Sequence, residues 1–281
     1  MNLKTYIPWL VTLLATHLMP WASAAVRDYY EEPGLQKYQV ALGDFNESIS
    51  AFGGTIQLHN TDLSLPMNGG LDVSVMRTYT SVQATRLPTL SGLLGLGWDL
   101  HYGRLVVSAQ SYFCQQEPPS TPVPPIFEPP DGGQQQFYRN TVFSGVDYIS
   151  KDNWKIDCSG ANKIITAPNG SQYHLGFIAG FNSAGETIYL VDYIEDVHAN
   201  SIDIQYSHAS TGLYQIDSIT SSEVVGPVVR FTNHPDGRIQ TMTAYGKTWT
   251  FSYEAIGGSL SNPNHAYFLT RVIQPDQTSW F

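Results

Sequence analysis

A tight group of carboxylates in this 281-residue sequence consists of Asp192, Glu195 and Asp196, with His198 close by. Paired carboxylates can divide the roles of general acid and general base, as in glycoside hydrolysis, and carboxylates together with imidazole can bind a metal. However, residues 196–200 are a turn sequence directly before an alternating strand sequence, and Asp and Asn are favoured in turns because their side chains cap the backbone. We therefore interpret this group as a turn rather than an active site.

The other candidates for catalysis or metal binding are scattered. One of the eight histidines, His17, precedes the expected mature chain, and the rest show neither a His-x-His nor a His-x-x-x-His spacing. These seven are His59, His101, His174, His198, His208, His234 and His265. No serine lies in the Gly-x-Ser-x-Gly motif that is typical of hydrolase nucleophiles. The sequence predicts a protein that is not an enzyme and that binds no metal or cofactor.

The strand that must position any remaining functional residue is the alternating stretch 71–81. Leu71, Val73 and Val75 share one face with Arg77 and Tyr79, and the other face is polar apart from Met76, which is typical of a half-buried strand. We expect Arg77 to pair with a carboxylate, Asp99 being the candidate, or to pack its stem on Trp98, and in either case to have a structural role. Upstream, residues 60–62 are predicted to form the turn that follows an earlier strand.

A second stretch places Gly92, Gly95 and Gly97 immediately before Trp98. Glycines at this spacing suit a tight backbone corner that delivers the aromatic ring into a core. A phosphate-binding glycine loop would lead into a helix, whereas residues 99–107 again alternate as a strand. The corner is therefore predicted to be structural.

Three motifs in a fixed order carry a family resemblance. They are Leu65-Pro66-Met67-Asn68-Gly69-Gly70, then Arg77-Thr78-Tyr79-Thr80-Ser81, then Gly95-Leu96-Gly97-Trp98. In this order they resemble the segment that leads into the repeats of RHS/YD-repeat proteins, and the resemblance extends over the chain from about residue 50. It implies a sheet that spirals into a hollow shell around the C-terminal part of the same polypeptide, often a toxin. Family shells take many more repeats, and this chain stops in mid-strand by its own pattern, so we expect it to be the N-terminal part of one.

The second half of the chain repeats a turn rich in Pro, Asp, Asn and Gly, followed by a strand with an aromatic residue near its end. Residues 165–173 align with 272–280 and, with a turn one residue shorter, with 242–249. Two strands end in the repeat tyrosines Tyr206 and Tyr253, and residues 235–239 are predicted to form a hairpin turn. Because no hairpin buries its own apolar face, we predict an all-β fold in which consecutive antiparallel hairpins form a long curved sheet, the start of an RHS/YD-type β-shell.

The domain organisation begins with a signal peptide at 1–24, which has Lys4, an apolar centre and a small-residue cleavage site. A polar lead-in follows at 25–50, then the leading segment of the repeats at 51–160 and the incomplete repeat hairpins at 161–281. The proline-rich insertion at 117–130 is expected to be a solvated excursion. We expect export to the cell surface, the periplasm or the medium, with no membrane span after cleavage, because no later apolar run is long enough.

The charge of the chain bears on its binding partners, and its two cysteines bear on whether it contains a disulfide. The net charge of −10, with only 14% charged residues, argues against nucleic-acid binding, which needs clustered Lys and Arg. Cys114 and Cys158 lie in the exported part of the chain, where oxidation is permitted, and the sequence leaves open whether they pair.

The sequence thus predicts a secreted, non-enzymatic structural protein. By resemblance, its shell encloses and helps to deliver a C-terminal effector or toxin, so its partner would be its own downstream region. The alternative is a carbohydrate- or cell-surface-binding β module with a surface polysaccharide as partner, because aromatic rings on an open sheet can stack on sugars.

Overall fold

The computed structural model describes residues 39–41, 47–50, 56–81, 93–111, 113–114, 123–130, 133–142, 144–160, 163–181, 185–210, 213–255 and 267–280. The predicted signal peptide, most of the polar lead-in, Gly92, His265 and the first part of the proline-rich insertion lie outside these residues. The described residues belong to one compact unit and form antiparallel strands that pair into long ladders. The all-β prediction is confirmed.

The first sheet, here called the leading sheet, contains five strands in chain order. They are β1 (Gln39–Ala41), β2 (Glu47–Ser50), β3 (Ile56–Leu65), β4 (Val73–Thr80) and β5 (Trp98–Asp99). β4 is the predicted alternating strand, and Val73, Val75 and Arg77 are buried at every second position along it. A short 3-10 turn, Asn68–Gly70, lies between β3 and β4.

The predicted turn at 60–62 is wrong, because β3 continues through it for ten residues. Asn60 lies opposite Arg77 and Thr61 opposite Met76, but the next partner of β4 is Leu63. Asp62 is therefore the extra residue of a β-bulge. The bulge accommodates the turn-forming residues within a continuous strand.

The second sheet contains the remaining strands. Their bounds are β6 (Arg104–Val107), β7 (Ile126–Glu128), β8 (Gln135–Arg139), β9 (Tyr148–Ser150), β10 (Lys155–Asp157), β11 (Lys163–Thr166), β12 (Gln172–Leu175), β13 (Phe177–Phe181), β14 (Thr187–Leu190), β15 (Tyr193–Glu195), β16 (Ser201–His208), β17 (Tyr214–Ser221), β18 (Pro227–Asn233), β19 (Ile239–Ala244), β20 (Lys247–Ala255), β21 (Tyr267–Ile273) and β22 (Ser279–Trp280). From β6 to β12, and again from β15 to β22, each strand pairs with the next in sequence. Consecutive hairpins therefore build the sheet, as predicted.

One kinked hairpin, residues 172–195, joins the two halves of this sheet. Near its base β12 pairs with β15, and beyond the kink β13 pairs with β14, which also pairs with β6. The kink lies at Gly176, whose amide donates to Asp192 Oδ1 at 2.9 Å, and a Cβ at this position would overlap the Asp192 carboxylate. The sequence pattern contained no signal for the long-range pairing of β14 with β6.

Two predicted boundaries need correction. Residues 99–107 are two strands in different sheets rather than one, because the chain leaves β5 at Leu100 and enters β6 at Arg104. The proline-rich insertion is not wholly a solvated excursion, since its last part contains β7 with Phe127 fully buried. Pro125 and Pro129 flank this strand, where they remove no hydrogen bond from its centre.

The internal repeats have a common backbone structure at five described turns. These turns are 150–154, 167–171, 196–200, 234–238 and 274–278. In each turn, the backbone amide of the first residue donates to the carbonyl of the fifth residue, and the carbonyl of the first residue accepts from the amide of the fourth. The fourth residue is always left-handed, with φ of 65° at Asn153, 90° at Gly170, 64° at Ala199, 92° at Gly237 and 68° at Gln277. This is a type I turn followed by a left-handed residue. The β19–β20 turn has two central residues instead of three, as the shorter alignment predicts.

The buried faces of both sheets contribute to one hydrophobic cluster. Val73 and Val75 from the leading sheet belong to it together with Ile204, Met242 and Phe251 from the repeats. Full burial of such a side chain contributes roughly 1.5–3 kcal/mol. The leading sheet thus supplies part of the core of the repeats.

Candidate functional site

Arg77 pairs with Asp62 rather than with the predicted partner Asp99. Its Nε donates to Asp62 Oδ2 at 2.5 Å and its Nη2 to Oδ1 at 2.9 Å, and both side chains are fully buried. Asp99 lies opposite Thr78, one position along β4 from Arg77, so its side chain is directed to the other face of the sheet. Burial raises the pKa of the Asp62 carboxyl, and the Arg77 guanidinium opposes this rise.

The predicted packing of Arg77 beside Trp98 matches the geometry. The guanidinium carbon lies 5.3 Å from the centre of the indole, and Tyr79 packs on the same ring at 5.4 Å between centroids. Trp98 is 6% exposed. Arg77 and Trp98, both buried, and the partly buried Tyr79 therefore form one group at the end of the leading sheet.

Asp99 belongs to a separate buried ion-pair network. Arg104 donates to both Asp99 and Glu128, and Asp99 also accepts from the Leu100 amide at 2.8 Å. Burial alone would lower the pKa of Arg104, but the carboxylates of Glu128 and Asp99 outweigh it and raise the pKa. This network ties β5 to β6 and β7, across the point where the chain changes sheets.

The glycine corner contacts the far end of the repeats. Gly95 and Gly97 have φ of 85° and 78°, as a tight corner requires. The Leu96 amide donates to the Tyr267 carbonyl at 2.6 Å, and the Ile239 amide donates to the Leu93 carbonyl at 2.9 Å. We call this contact between the corner and β19–β21 the corner junction.

Arg238 lies at the corner junction, between two tyrosine rings. Its guanidinium carbon is 3.4 Å from the centre of Tyr267 and 4.6 Å from that of Tyr253, and its Nε donates to Asp236 at 2.8 Å. The Tyr253 hydroxyl donates to the Ile239 carbonyl at 2.7 Å. Stacked and ion-paired, Arg238 is 7% exposed and fixes the turn 234–238 against the corner.

The opposite end of the leading sheet makes a second junction, here called the Asn68 junction. The Asn68 amide donates to Glu223 Oε1 at 2.5 Å, and the preceding Met67 amide donates to Asp72 at 3.0 Å. Gly69, with φ of 66°, fits so closely against the turn 196–200 that a Cβ would lie 2.5 Å from Asn200 Nδ2. The leading sheet is thus attached to the repeats at both of its ends.

The carboxylates first considered as catalytic have separate structural contacts. Asp196 accepts from the amides of His198 and Asn200 at 2.7 and 2.9 Å, and these bonds cap the turn. Glu195 accepts from the Tyr193 hydroxyl at 2.9 Å, and Asp192 accepts from Gly176 at the kink. The Asn200 side chain, followed by the backbone amides, holds the pKa of Asp196 below its usual value, whereas burial raises the pKa of Asp192.

The described histidines and acidic residues contain no group of three that could hold a metal ion. His174 packs edge-on against Tyr193 at 5.0 Å, His208 stacks on Phe177 at 4.9 Å, and His234 packs on Tyr253 at 5.8 Å. These imidazoles therefore pack against aromatic rings.

The repeat tyrosines occupy equivalent positions. In each case the register shifts directly before the tyrosine, between Gln205 and Tyr206 and between Ser252 and Tyr253. Burial raises the pKa of both phenols above the ordinary value. Each ring therefore turns inward at a bulge in the ladder.

Cys114 and Cys158 form a disulfide with their Cα atoms 5.6 Å apart. The Cys114 amide donates to the Tyr148 hydroxyl at 3.2 Å, and Phe113 packs on the same ring at 5.4 Å. The disulfide ties the segment after β6 to the one after β10.

Three residues important to these contacts were absent from the sequence prediction: Asp62, Arg104 and Arg238. Asp62 was hidden because its neighbours resemble a turn. Arg104 and Arg238 lie in alternating or turn sequences where a cation is ordinary. The signal that could have identified these residues is the scarcity of charge. Because only 14% of the residues are charged, a cation within an apolar stretch is unusual in this sequence.

Comparison with known proteins gives distant similarity only. No protein-family profile matches the sequence, and no curated protein is similar to it. A crystal structure of TcdB2–TccC3 superposes with a TM-score of 0.42 and 11% identity, over 88% of this chain and 16% of that one. The Photorhabdus luminescens Tc holotoxin pore gives a TM-score of 0.45 and 10% identity, over 86% and 15%.

A third superposition involves the N-terminal domain of the effector protein SpvB from Salmonella typhimurium strain LT2. It gives a TM-score of 0.36 and 11% identity, over 76% of this chain and 87% of that one. The fold described above rests on this chain's own strand pairings. Among the described residues, no helix is both long and apolar enough to cross a membrane.

Proposed function

We propose that this chain is an exported, non-enzymatic structural protein, the N-terminal part of an RHS/YD-like β-shell that encloses a C-terminal effector. The observation that carries the proposal is the attachment of the leading sheet at both ends, through the corner junction and the Asn68 junction. Two of the three motifs that resemble the RHS/YD family contribute to these contacts, residues 65–70 at the Asn68 junction and residues 95–98 at the corner junction. Their role is therefore to start and brace a sheet of hairpins.

The shape of such a sheet supports the same proposal. A long sheet of consecutive hairpins twists, and it must curl or pack against something to cover its apolar face. Here the leading sheet covers part of that face. Any further hairpins would have to cover their own apolar faces. They would do so by continuing the curve of the sheet, which creates an enclosed space.

The contacts of the first candidates for an active site support a mechanical role. The carboxylates and histidines that first suggested an active site cap turns, hold the kink or pack on aromatic rings. We infer that the shell's partner is the downstream part of its own polypeptide.

The test is to sequence the gene beyond codon 281 and to express whatever polypeptide it encodes. If the shell encloses its C-terminal region, that region resists added protease in the intact protein. Gly95→Ala should remove this protection, because the new Cβ would lie 2.5 Å from the Tyr267 carbonyl oxygen. Gly145→Ala is the matched control, since Gly145 also has positive φ but nothing within 4 Å of an added Cβ.

Two results would overturn the proposal. One is a stop codon directly after codon 281. The other is a downstream region that protease removes equally fast from the unmodified protein and from the Gly95→Ala variant.

A carbohydrate-binding module is the second candidate. Phe181 and Tyr245 are 71% and 65% exposed and could stack on sugar rings. Binding to a polysaccharide panel that disappears in Tyr245→Ala or Phe181→Ala would favour this function over the shell.

A further inference from the structure

We propose that Asn68–Gly69 is a site of spontaneous deamidation that loosens the Asn68 junction, an inference that does not depend on the proposed shell. The sequence contains two Asn-Gly pairs, Asn68–Gly69 and Asn169–Gly170. Asparagine is thermolabile, and glycine after it offers no side chain to hinder attack by the backbone nitrogen. The structure places the two pairs in different hydrogen-bonding environments.

Asn169–Gly170 is held in an unreactive arrangement. The Gly170 amide, which would be the nucleophile, donates to the Ala167 carbonyl at 2.9 Å. The Asn169 side-chain oxygen accepts from the Ser171 amide at 3.0 Å. Reaction there requires the hairpin turn to open first.

Asn68–Gly69 lacks this protection. Both residues are exposed, and among the described residues neither the Gly69 amide nor the Asn68 side chain has a hydrogen-bond partner. The backbone amide of Asn68 is bound to Glu223, which fixes the residue without engaging its side-chain amide. The reacting groups are therefore available in the folded protein.

The chemistry needs only water. The Gly69 amide nitrogen loses its proton and attacks Cγ of Asn68, a C–N bond forms, and ammonia leaves from the side chain. Water then opens the resulting succinimide at one of its two carbonyls, giving aspartate or isoaspartate. The product carries a new negative charge and, in the isoaspartate form, an extra methylene in the backbone.

The new charge would appear among existing carboxylates. Glu223 contacts the amide of residue 68, and the Asp196 carboxylate lies 2.6 Å from where a Cβ of Gly69 would be. Like charges closer together than a Debye length of about 8–10 Å repel, and a carboxylate at residue 68 would be adjacent to both contacts. Deamidation should therefore weaken the attachment of the leading sheet at this end and leave the corner junction intact.

The first experiment compares the two sites by peptide mapping with mass spectrometry after incubation of the purified chain at mildly alkaline pH. In the native protein Asn68 should convert at a rate close to that in the urea-unfolded chain. Asn169 should convert at least about tenfold more slowly in the native than in the unfolded chain, because its turn must open. Equal native rates at the two sites, or a slower native rate at Asn68, would overturn the proposal.

The second experiment tests the consequence with Asn68→Asp. This variant should melt at a lower temperature than the unmodified protein, and adding Glu223→Gln should restore part of the loss. Asn169→Asp is the control, because the corresponding turn residues Asp236 and Asp276 already cap their turns with a carboxylate. Equal melting temperatures for Asn68→Asp and Asn169→Asp would refute the weakening of the junction.

Discussion

The Arg77–Asp62 ion pair offers the sharpest test of how the leading sheet is stabilised. Removing one partner leaves the other charge buried and unpaired, which typically costs about 3–5 kcal/mol. For a chain of this size, roughly 2–4 °C of melting temperature is lost per kcal/mol, so Arg77→Met or Asp62→Val alone should lower it by roughly 6–20 °C. Both side chains have zero solvent exposure, so solvent does not screen the effect.

The double variant, Arg77→Met with Asp62→Val, separates pairing from packing. Burial raises the pKa of Asp62 and the adjacent guanidinium opposes the rise, so the buried pair carries a desolvation cost. An apolar pair of similar volume avoids that cost. We therefore expect the double variant to be more stable than either single variant.

The assay is urea and thermal unfolding of the whole chain, followed by tryptophan fluorescence, with Arg230→Met as an exposed-cation control that should change stability by no more than about 0.5 kcal/mol. The reasoning is refuted if either single variant resembles this control. It is also refuted if the double variant loses as much stability as the two single variants together.

Three further outcomes are expected. Replacing Cys114 and Cys158 with Ser should cost about 4 kcal/mol, because the disulfide joins residues 44 apart in sequence; equal unfolding midpoints with and without reductant would contradict this. Gly97→Ala should be more destabilising than Gly246→Ala, since both have positive φ but only the Cβ at 97 would lie 2.5 Å from the Tyr79 ring; equal losses would show that the ring yields. Burial and then the nearby Arg238 lower the pKa of His234, so its contribution to stability is present above about pH 6.5 and is lost as the pH falls through the folded pKa. His234→Gln should be less sensitive to this acidification than the unmodified chain, and identical pH profiles would contradict the assignment.

The sequence correctly predicted those strands and turns that depend only on residues close to one another in the chain. The alternation along β4 reflects a two-residue period and needs no knowledge of distant contacts. The Gly95–Trp98 corner and the turn at 235–239 follow from residues that tolerate left-handed backbone. The turn at 196–200 was predicted from its Asp and Asn, although Ala199 rather than glycine takes the left-handed position there.

The errors come from contacts that no local sequence pattern specifies. Asp62 was assigned to a turn because its neighbours favour turns, but pairing with Arg77 stabilises it in a bulge. Asp99 was paired with Arg77 because it lies at the Trp98 corner, whereas the strand alternation directs it to the other face, where it binds Arg104. Neither junction was predictable, because each depends on backbone groups of the leading segment, which every residue type carries.

The corner junction has a consequence for how the chain acquires its structure. Leu96 and Leu93 bind backbone groups at Tyr267 and Ile239, which emerge from the ribosome only after most of the intervening hairpins. Contacts of such high sequence separation slow folding, and apolar surface exposed in the meantime favours aggregation. β4 is synthesised early, but its apolar face therefore becomes buried only after the last strands have been synthesised. A chain released or translocated after residue 223 but before residue 239 would hold its leading sheet at the Asn68 junction only.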